Sequence, residues 1–376
     1  MKPALKHEEI SRELRAEIAE EKYAPSGRLP SEAQLVRRFG VSRPTVIRAL
    51  RDLQGEELVE RRAGSGTFVR SRTGKAPAAN QLGLLVPSRQ STDVFDLICG
   101  ELAGLARAKN YALLWGNTTL HHGDSDLSAK DALHICDQFI EQRVTGVFFA
   151  PFDLTADQNK VNNAIAERLR RAGIPIVLLD RDVTAFPERS TFDLVGIDNF
   201  AAGAQLAEHL IKLGCERIAF VRRAHSAATV DARVAGVREA LLRHRLEQPP
   251  DWVQAGDAED TKFVRLLTAA QRWDAFICAN DLTAAQLLRS LAKLRLHVPA
   301  DFRVVGFDDA KYATLLGVSL TTMHQPTADI AEIAFRALLE RVAEPLLPAR
   351  SLLLSARLVI RESCGAYTAG ATAKQP

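Results

Sequence analysis

The sequence predicts an α/β protein in two parts: a small helical head closed by a two-stranded hairpin, then a large body of parallel sheets with helices on both faces. Three observations carry this. Residues 28–69 order a helix, a turn, a second helix and a Gly-tipped basic hairpin. Residues 71–80, SRTGKAPAAN, are small and polar with Gly and Pro, the composition of a flexible linker. Beyond them, short apolar runs alternate with amphipathic stretches, as parallel strands joined by crossover helices require. The expected boundaries are 1–72 for the head, 73–81 for the linker, 82–363 for the body and 364–376 for a C-terminal tail.

The head opens on a charged amphipathic helix striped by Ile10, Leu14 and Ile18. Ser31 is placed to cap the next helix, with Gln34 completing a capping box. Gly40 ends that helix, because a residue without Cβ enters the left-handed region at little cost. Ser42 is expected to cap the second helix, and Pro44 fits its first turn, where a missing N–H loses nothing. Val46, Ala49, Leu50 and Leu53 fall at i, i+3, i+4 and i+7 and make one apolar face. Arg43, Thr45 and Arg48 lie opposite, able to reach phosphates and base edges from a helix in a major groove. Leu58–Arg62 and Thr67–Arg70 then read as strands around Ala63-Gly64-Ser65-Gly66.

In the body, Leu82–Val86, Tyr111–Trp115, Val144–Phe149 and Ile174–Leu179 read as buried strands. Helical patterns separate them at Leu97–Lys109, Leu127–Gln142 and Val161–Ala172. The alternation continues with helices Ala201–Leu213, Ala232–Arg243, Leu282–Leu294 and Asp329–Val342, and with strands Arg217–Val221, Ala275–Ala279 and Arg303–Phe307. Ligands of such sheets sit beyond the carboxyl ends of the strands. Those ends carry Pro87-Ser88, Pro151-Phe152, Asp180-Arg181, Asn280-Asp281 and Asp308-Asp309.

Composition narrows the function. At 376 residues, 47% hydrophobic and 25% charged, the chain can bury a large core. Residues 1–72 hold 15 Lys and Arg against 11 Asp and Glu, a balance of +4 in a chain of +3, so the remainder sums to −1. A basic head on a near-neutral body suits a phosphate-binding module. Cys99, Cys136, Cys215, Cys278 and Cys364 are scattered, odd in number and without CxxC spacing, which reads as reduced core thiols in a cytoplasmic protein. No signal-peptide core and no run of 18 apolar residues occurs, so no membrane partner is expected. His121-His122 lacks a third ligand at metal spacing, and no GxSxG, Walker loop or dinucleotide fingerprint appears. No catalytic set, cofactor or metal is therefore expected.

The strings Arg28-Leu-Pro-Ser-Glu32, Phe39-Gly-Val-Ser-Arg43, Thr45-Val46, Ala49-Leu50 and Gly66-Thr-Phe-Val69 resemble the winged-helix head of the GntR family of bacterial transcription regulators. That resemblance implies DNA contacts at Ser42, Arg43, Thr45 and Arg48 on the recognition helix and at Gly66 on the wing. The body resembles the effector domain of LacI/GalR regulators, itself related to periplasmic sugar-binding proteins. The match lies in Val195-Gly-Ile-Asp-Asn199, Gly214-Cys-Glu-Arg-Ile-Ala219, Asp231-Ala-Arg-Val-Ala-Gly236, Ala279-Asn-Asp281, Pro299–Asp309, Leu320–Pro326 and Leu358–Ser363. The pairing is similar to regulators of the arabinose-repressor type.

This second resemblance implies two lobes joined by three crossings, near Val195–Asp198, Thr322–Gln325 and Leu352–Ser355, with a ligand between the lobes. Asp180, Arg233 and Asp281 match sugar-contact positions and suit paired hydrogen bonds to adjacent hydroxyls. Gln325 lies at a crossing; Ser88, Asp93 and Phe95 follow the first strand, and Phe152 follows the third. Five of these have a plainer alternative: a salt bridge within one lobe for Arg233 and Asp281, a helix cap for Asp180, core packing for Phe95 and Phe152.

The expected function is a transcriptional regulator, a repressor released from its operator by a sugar or related small molecule. The expected partners are a palindromic double-stranded DNA operator and a second copy of the chain in a homodimer. An activator, or a regulator answering to something other than sugar, fits the same architecture. A solute-binding protein of a transport system fits the body alone and leaves the head without a role.

Overall fold

The computed structural model describes residues 6–19, 22–23, 29–56, 58–62, 66–69, 80–86, 93–115, 129–154, 156–269 and 272–367. Two compact units divide the chain, Met1–Ala76 and Pro77–Pro376. In the first, helices α1 (Lys6–Ala19), α2 (Glu32–Phe39) and α3 (Arg43–Gly55) precede strands β1 (Val59–Arg62) and β2 (Gly66–Val69). The capping box forms: the Ser31 hydroxyl accepts from Gln34 N, and Gln34 Oε1 accepts from Ser31 N at 2.8 Å. Gly40 closes α2 in the left-handed region at φ +62°. Val46, Ala49, Leu50 and Leu53 are buried against Ile10, Leu14 and Leu35, so the head has its own core. The hairpin is antiparallel with Arg62 opposite Gly66, one residue offset from the expected strands; its tip, residues 63–65, lies outside the described residues.

The second unit has two lobes, each a six-stranded sheet covered by helices. Lobe 1 contains β3 (Gln81–Leu85), α4 (Asp93–Ala108), β4 (Ala112–Trp115), α5 (Ala129–Gln142), β5 (Gly146–Phe149), α6 (Gln158–Arg171), β6 (Ile176–Leu179) and β7 (Asp193–Ile197). The chain then builds lobe 2 from α7 (Asn199–Lys212), β8 (Ile218–Arg222), α8 (Ala228–Arg243), β9 (Val253–Ala255), α9 (Thr261–Thr268), β10 (Ala275–Cys278), α10 (Asp281–Lys293), β11 (Arg303–Asp308) and β12 (Thr321–His324). It returns to lobe 1 for α11 (Thr327–Ala343) and β13 (Ser351–Leu354), and ends in lobe 2 with β14 (Arg357–Val359). Strand order is β13-β7-β6-β5-β3-β4, all parallel, in lobe 1. In lobe 2 it is β14-β12-β11-β10-β8-β9, with only β14 antiparallel. The three crossings fall at Asp198, at Gln325-Pro326 and at Ser355-Ala356, within a residue or two of expectation.

The late segments of lobe 1 are pinned by one carboxylate. Asp193, wholly buried at the start of β7, accepts from Arg341 Nη2 at 2.9 Å and from Arg350 N at 2.8 Å. Phe335 of α11 packs on Phe148 and Tyr111, each at 6.0 Å between ring centres. In lobe 2, α7 and α8 touch backbone to backbone. A Cβ on Gly236 would stand 1.9 Å from Phe200 O, and one on Gly203 would stand 2.3 Å from Arg233 O. Only glycine allows that approach.

One boundary expectation is corrected. Cys364, expected to open the tail, is wholly buried in the lobe 2 core, and Ala366 packs beside it. The expected linker, 73–81, meets described backbone only at Asn80 and Gln81; its remainder, His121-His122 and residues 368–376 lie outside the described residues. All five cysteines are buried and free, and burial pushes the Cys99 and Cys136 thiols up to about 12 and about 11.

Candidate DNA interface and effector site

In the head, the polar side of α3 is as the sequence places it. Arg43 and Arg48 are exposed, Thr45 is half-buried, and Gly66 is exposed at φ +116°, where a side chain would be strained. Ser42 departs from expectation. It occupies the cap position of α3 with extended backbone, but its side chain caps no N–H; its hydroxyl meets the Thr45 hydroxyl at 2.8 Å. Arg43 Nε donates to Glu32 Oε2 at 2.9 Å, and Arg61 of β1 donates to the other oxygen of the same carboxylate. Leu29 N bonds Thr67 O at 2.9 Å, tying the entry of α2 to β2. The base of the head is fixed by Glu17, which accepts from both Arg38 Nη atoms at 2.9 and 2.7 Å; Arg38, Lys22 and Tyr23 together hold its carboxyl down at about 2 against burial.

In the body, several side chains converge between the lobes. Asp180 ends β6 at φ +67°, in a γ-turn closed by Arg181 N to Leu179 O at 2.7 Å, a strained conformation of the sort that functional sites retain. Gly196 permits this turn, since a Cβ there would stand 3.0 Å from Asp180 O. Arg181 spans Asp180 and Asp153, at 3.0 and 2.7 Å, with its guanidinium 5.2 Å from the centre of the Phe95 ring.

From lobe 2, Arg233 is only 4% exposed; it donates to Asn199 Oδ1 at 2.8 Å and to Ala279 O at 2.6 Å, and lies 4.4 Å over the Phe307 ring. The reciprocal glycines of α7 and α8 set this reach, because Arg233 sits one turn before Gly236.

Asp308, at the end of β11 with φ +118°, accepts from Gln325 Nε2 at 2.8 Å. Its other oxygen, Oδ2, and Gln325 Oε1 are buried without a hydrogen-bond partner. Burial pushes the Asp308 carboxyl up to about 7, against the pull of Arg233 and of the Gln325 amide. Asp180 and Arg181 of lobe 1 are within electrostatic reach of Asp308 and Arg233 of lobe 2, so the four charges belong to one cleft. Tyr312 adds an aromatic ring: burial and the charges of Asp281, Asp308 and Asp93 raise its phenol above the usual value.

The other expected contacts are placed differently. Asp281 is 0% exposed; its oxygens accept from Thr322 Oγ1 at 2.6 Å and Ala310 N at 2.9 Å, both within lobe 2. Gly306 makes room, since a Cβ there would stand 2.3 Å from Asp281 Oδ1. Asp93 accepts from Lys311 N at 3.2 Å, a bond from lobe 1 to lobe 2, and Leu154 N to His225 O at 2.8 Å is another. Phe95 is buried in the core as a platform for Arg181, and half-buried Phe152 is held by Asn162 through two backbone bonds. Ser88 lies outside the described residues. Sequence reasoning missed Asp308, Arg181 and Tyr312; only the strand-end pairs Asp180-Arg181 and Asp308-Asp309 signalled the first two.

Residues 6–69 match the bacterial regulatory proteins of the gntR family, and residues 207–364 match the periplasmic binding protein-like domain. The arabinose metabolism transcriptional repressor of Geobacillus stearothermophilus is 27% identical over 348 residues, 90% of this chain and 92% of that protein. The HTH-type transcriptional repressor PurR of Vibrio campbellii is 29% identical over 300 residues, 78% of this chain and 84% of that one. A LacI family regulator from Enterococcus faecium, solved with bound ribose, shares the fold with TM-score 0.60 and 23% identity, over 76% of this chain and 98% of that one. These relatives are regulators, and no helix among the described residues is long and apolar enough to cross a membrane. The chain thus joins a region that matches the gntR-family regulators to one that matches the periplasmic binding protein-like domain, and, like its relatives over nearly the whole length, it is a transcriptional regulator.

Proposed function

We propose that this protein is a cytoplasmic repressor whose head reads a palindromic operator and whose cleft takes a neutral sugar that releases it. The carrying observation is the pair of buried acceptors, Asp308 Oδ2 and Gln325 Oε1, that lack donors. A buried acceptor left unpaired costs about 1–3 kcal/mol, so a ligand presenting two hydroxyl donors there recovers both. Asp180 and Arg233 supply further charged hydrogen-bonding groups, and the Tyr312 ring suits the C–H face of a sugar. Asp281 supports this wall from behind. On the head, Ser42, Arg43, Thr45, Arg48 and Gly66 are the proposed DNA contacts. Release follows if the sugar favours a lobe arrangement that spaces two heads wrongly for the operator.

The partner in that dimer is a second copy, through lobe 2. Leu315, 82% exposed, stands on the wall of a groove of about 730 Å³ whose apolar lining, Leu282, Leu288, Leu296 and Val298 among others, is interspersed with Glu259, Arg289, Arg295 and His297. A knob and a hole on one face are what a twofold contact needs. The test is calorimetry of the full chain against a panel of unmodified and phosphorylated sugars, followed by operator release. Heat and release with an unmodified sugar support the reading. Binding only of an anionic or non-sugar compound refutes it.

A further inference from the structure

We propose that Glu32 is a positioning residue for DNA reading: its carboxylate holds Arg43 of the recognition helix and Arg61 of the wing at a fixed spacing, so that both engage one duplex together. This rests on the DNA-binding role of the head. Glu32 is the first residue of α2, between Ser31 and Gln34, the two members of the capping box that fixes that turn. Its side chain is 15% exposed, whereas those of Arg43 and Arg61 are 73% and 56% exposed. One oxygen takes Arg43 and the other takes Arg61, residues 11 and 29 positions away in the chain. The half-buried carboxylate is thus the anchor and the exposed guanidinium groups are what it presents. Three elements, α2, α3 and β1, meet at this one carboxylate.

Stability does not explain the arrangement. Exposed ion pairs contribute little to folding, and the head already has its own core and the Leu29–Thr67 backbone bond. A negative charge beside a phosphate-binding surface also weakens general attraction to DNA. The arrangement gains instead from order. An arginine has many rotamers, and holding it near its bound conformation reduces what binding must immobilise. Fixing one guanidinium on the helix and one on the wing also sets the distance between two contact points on the duplex. A sequence whose groove geometry matches that distance is favoured over one whose geometry does not.

The test uses the full-length chain. Wild type first selects a binding sequence from a randomised duplex library; affinity is then measured for the selected duplex and a scrambled one, across salt. Glu32→Gln keeps shape and removes charge, while Glu32→Asp keeps charge and shortens reach. Both should reduce the preference for the selected duplex about tenfold or more, with melting temperature unchanged. Glu32→Gln should also bind scrambled duplex more tightly, with a salt slope steeper by up to about two, as two arginines become available to phosphates. In an Arg43→Ala, Arg61→Ala background, Glu32→Gln should have no further effect on preference.

Three results overturn the proposal. If Glu32→Gln tightens both duplexes equally, the carboxylate merely masks the arginines. If its loss of preference persists in the double-alanine background, Glu32 touches the DNA itself. If both variants keep wild-type preference, the geometry is idle. Failure of wild type to select any sequence removes the DNA-binding role and this proposal with it, a result distinct from the other three.

Discussion

Gly236→Ala is expected to destabilise the protein and weaken effector binding, although alanine is the better helix former. The added methyl would stand 1.9 Å from Phe200 O and 2.9 Å from Ala204 N. Both are backbone atoms of the helix-start region and α7, so no side chain can swing away. Ordinary contact needs about 3.5 Å, so α7 and α8 must part by about 1.5 Å. Overpacking of this kind costs about 1–3 kcal/mol, against a propensity gain of up to ~1 kcal/mol. Arg233 moves with α8, and its bonds to Asn199 and Ala279 are broken or stretched. Thermal and denaturant unfolding should show a fall of several degrees, and calorimetry a weaker effector. Gly100→Ala is the control: that glycine lies within α4 with nothing within 4 Å of the added carbon, and should be neutral or stabilising. If Gly236→Ala matches the control in sign, backbone contact does not set the α7–α8 spacing and the account of Arg233 fails.

Three further perturbations test the remaining parts. Arg48→Ala should lose about 1–3 kcal/mol of operator binding with relaxed specificity at one base position if it reads a base; a loss uniform across sequences marks a phosphate contact, and unchanged affinity removes Arg48 from the interface. Asp308 is held up to about 7 in the folded chain, so its proton is bound more tightly folded than unfolded. Its contribution is therefore present at low pH and lost as pH climbs from about 4 to about 7. Asp308→Asn should reduce that decline in melting temperature, leaving the part due to Asp281, which is shifted the same way; parallel curves for the two proteins would refute the assignment. Leu315→Asp should convert a dimer to a monomer in analytical ultracentrifugation while the far-ultraviolet dichroism stays unchanged, and an undiminished dimer would place the interface elsewhere.

Legibility in the sequence followed the range of the interactions. The capping box of Ser31 and Gln34, the left-handed Gly40 and the buried face of α3 involve residues a few positions apart, and each was readable. So was the β-α alternation, because burial of a parallel sheet on both faces leaves continuous apolar runs. Ser42 misled because its hydroxyl had two local partners, and Thr45 Oγ1 took it in place of a backbone N–H. Asp281 misled for a related reason: Asn280 caps α10, which lets Asp281 turn inward to Thr322, 41 residues away. The role of Asp308 depends on Gln325 from a crossing and on Asp180 from the other lobe, a conjunction that spacing alone cannot show. The helix-interior glycines Gly203 and Gly236 look like weak points until two backbones are seen in contact.

The threefold passage of the chain between lobes has a consequence for biosynthesis. Strand β13, at residues 351–354, forms the edge of a sheet whose other strands lie between residues 81 and 197. Lobe 1 therefore cannot close its hydrogen-bonded array until residue 354 has been made, and α11, at residues 327–343, reaches it almost as late. The head, by contrast, draws its core among the described residues from positions 10–69, all made well before residue 351. Chains emerging from the ribosome thus acquire the DNA-reading unit well before the unit that governs it. Truncation before residue 351 leaves an intact head on a body that lacks a sheet edge, and such fragments should occupy DNA without answering to the effector.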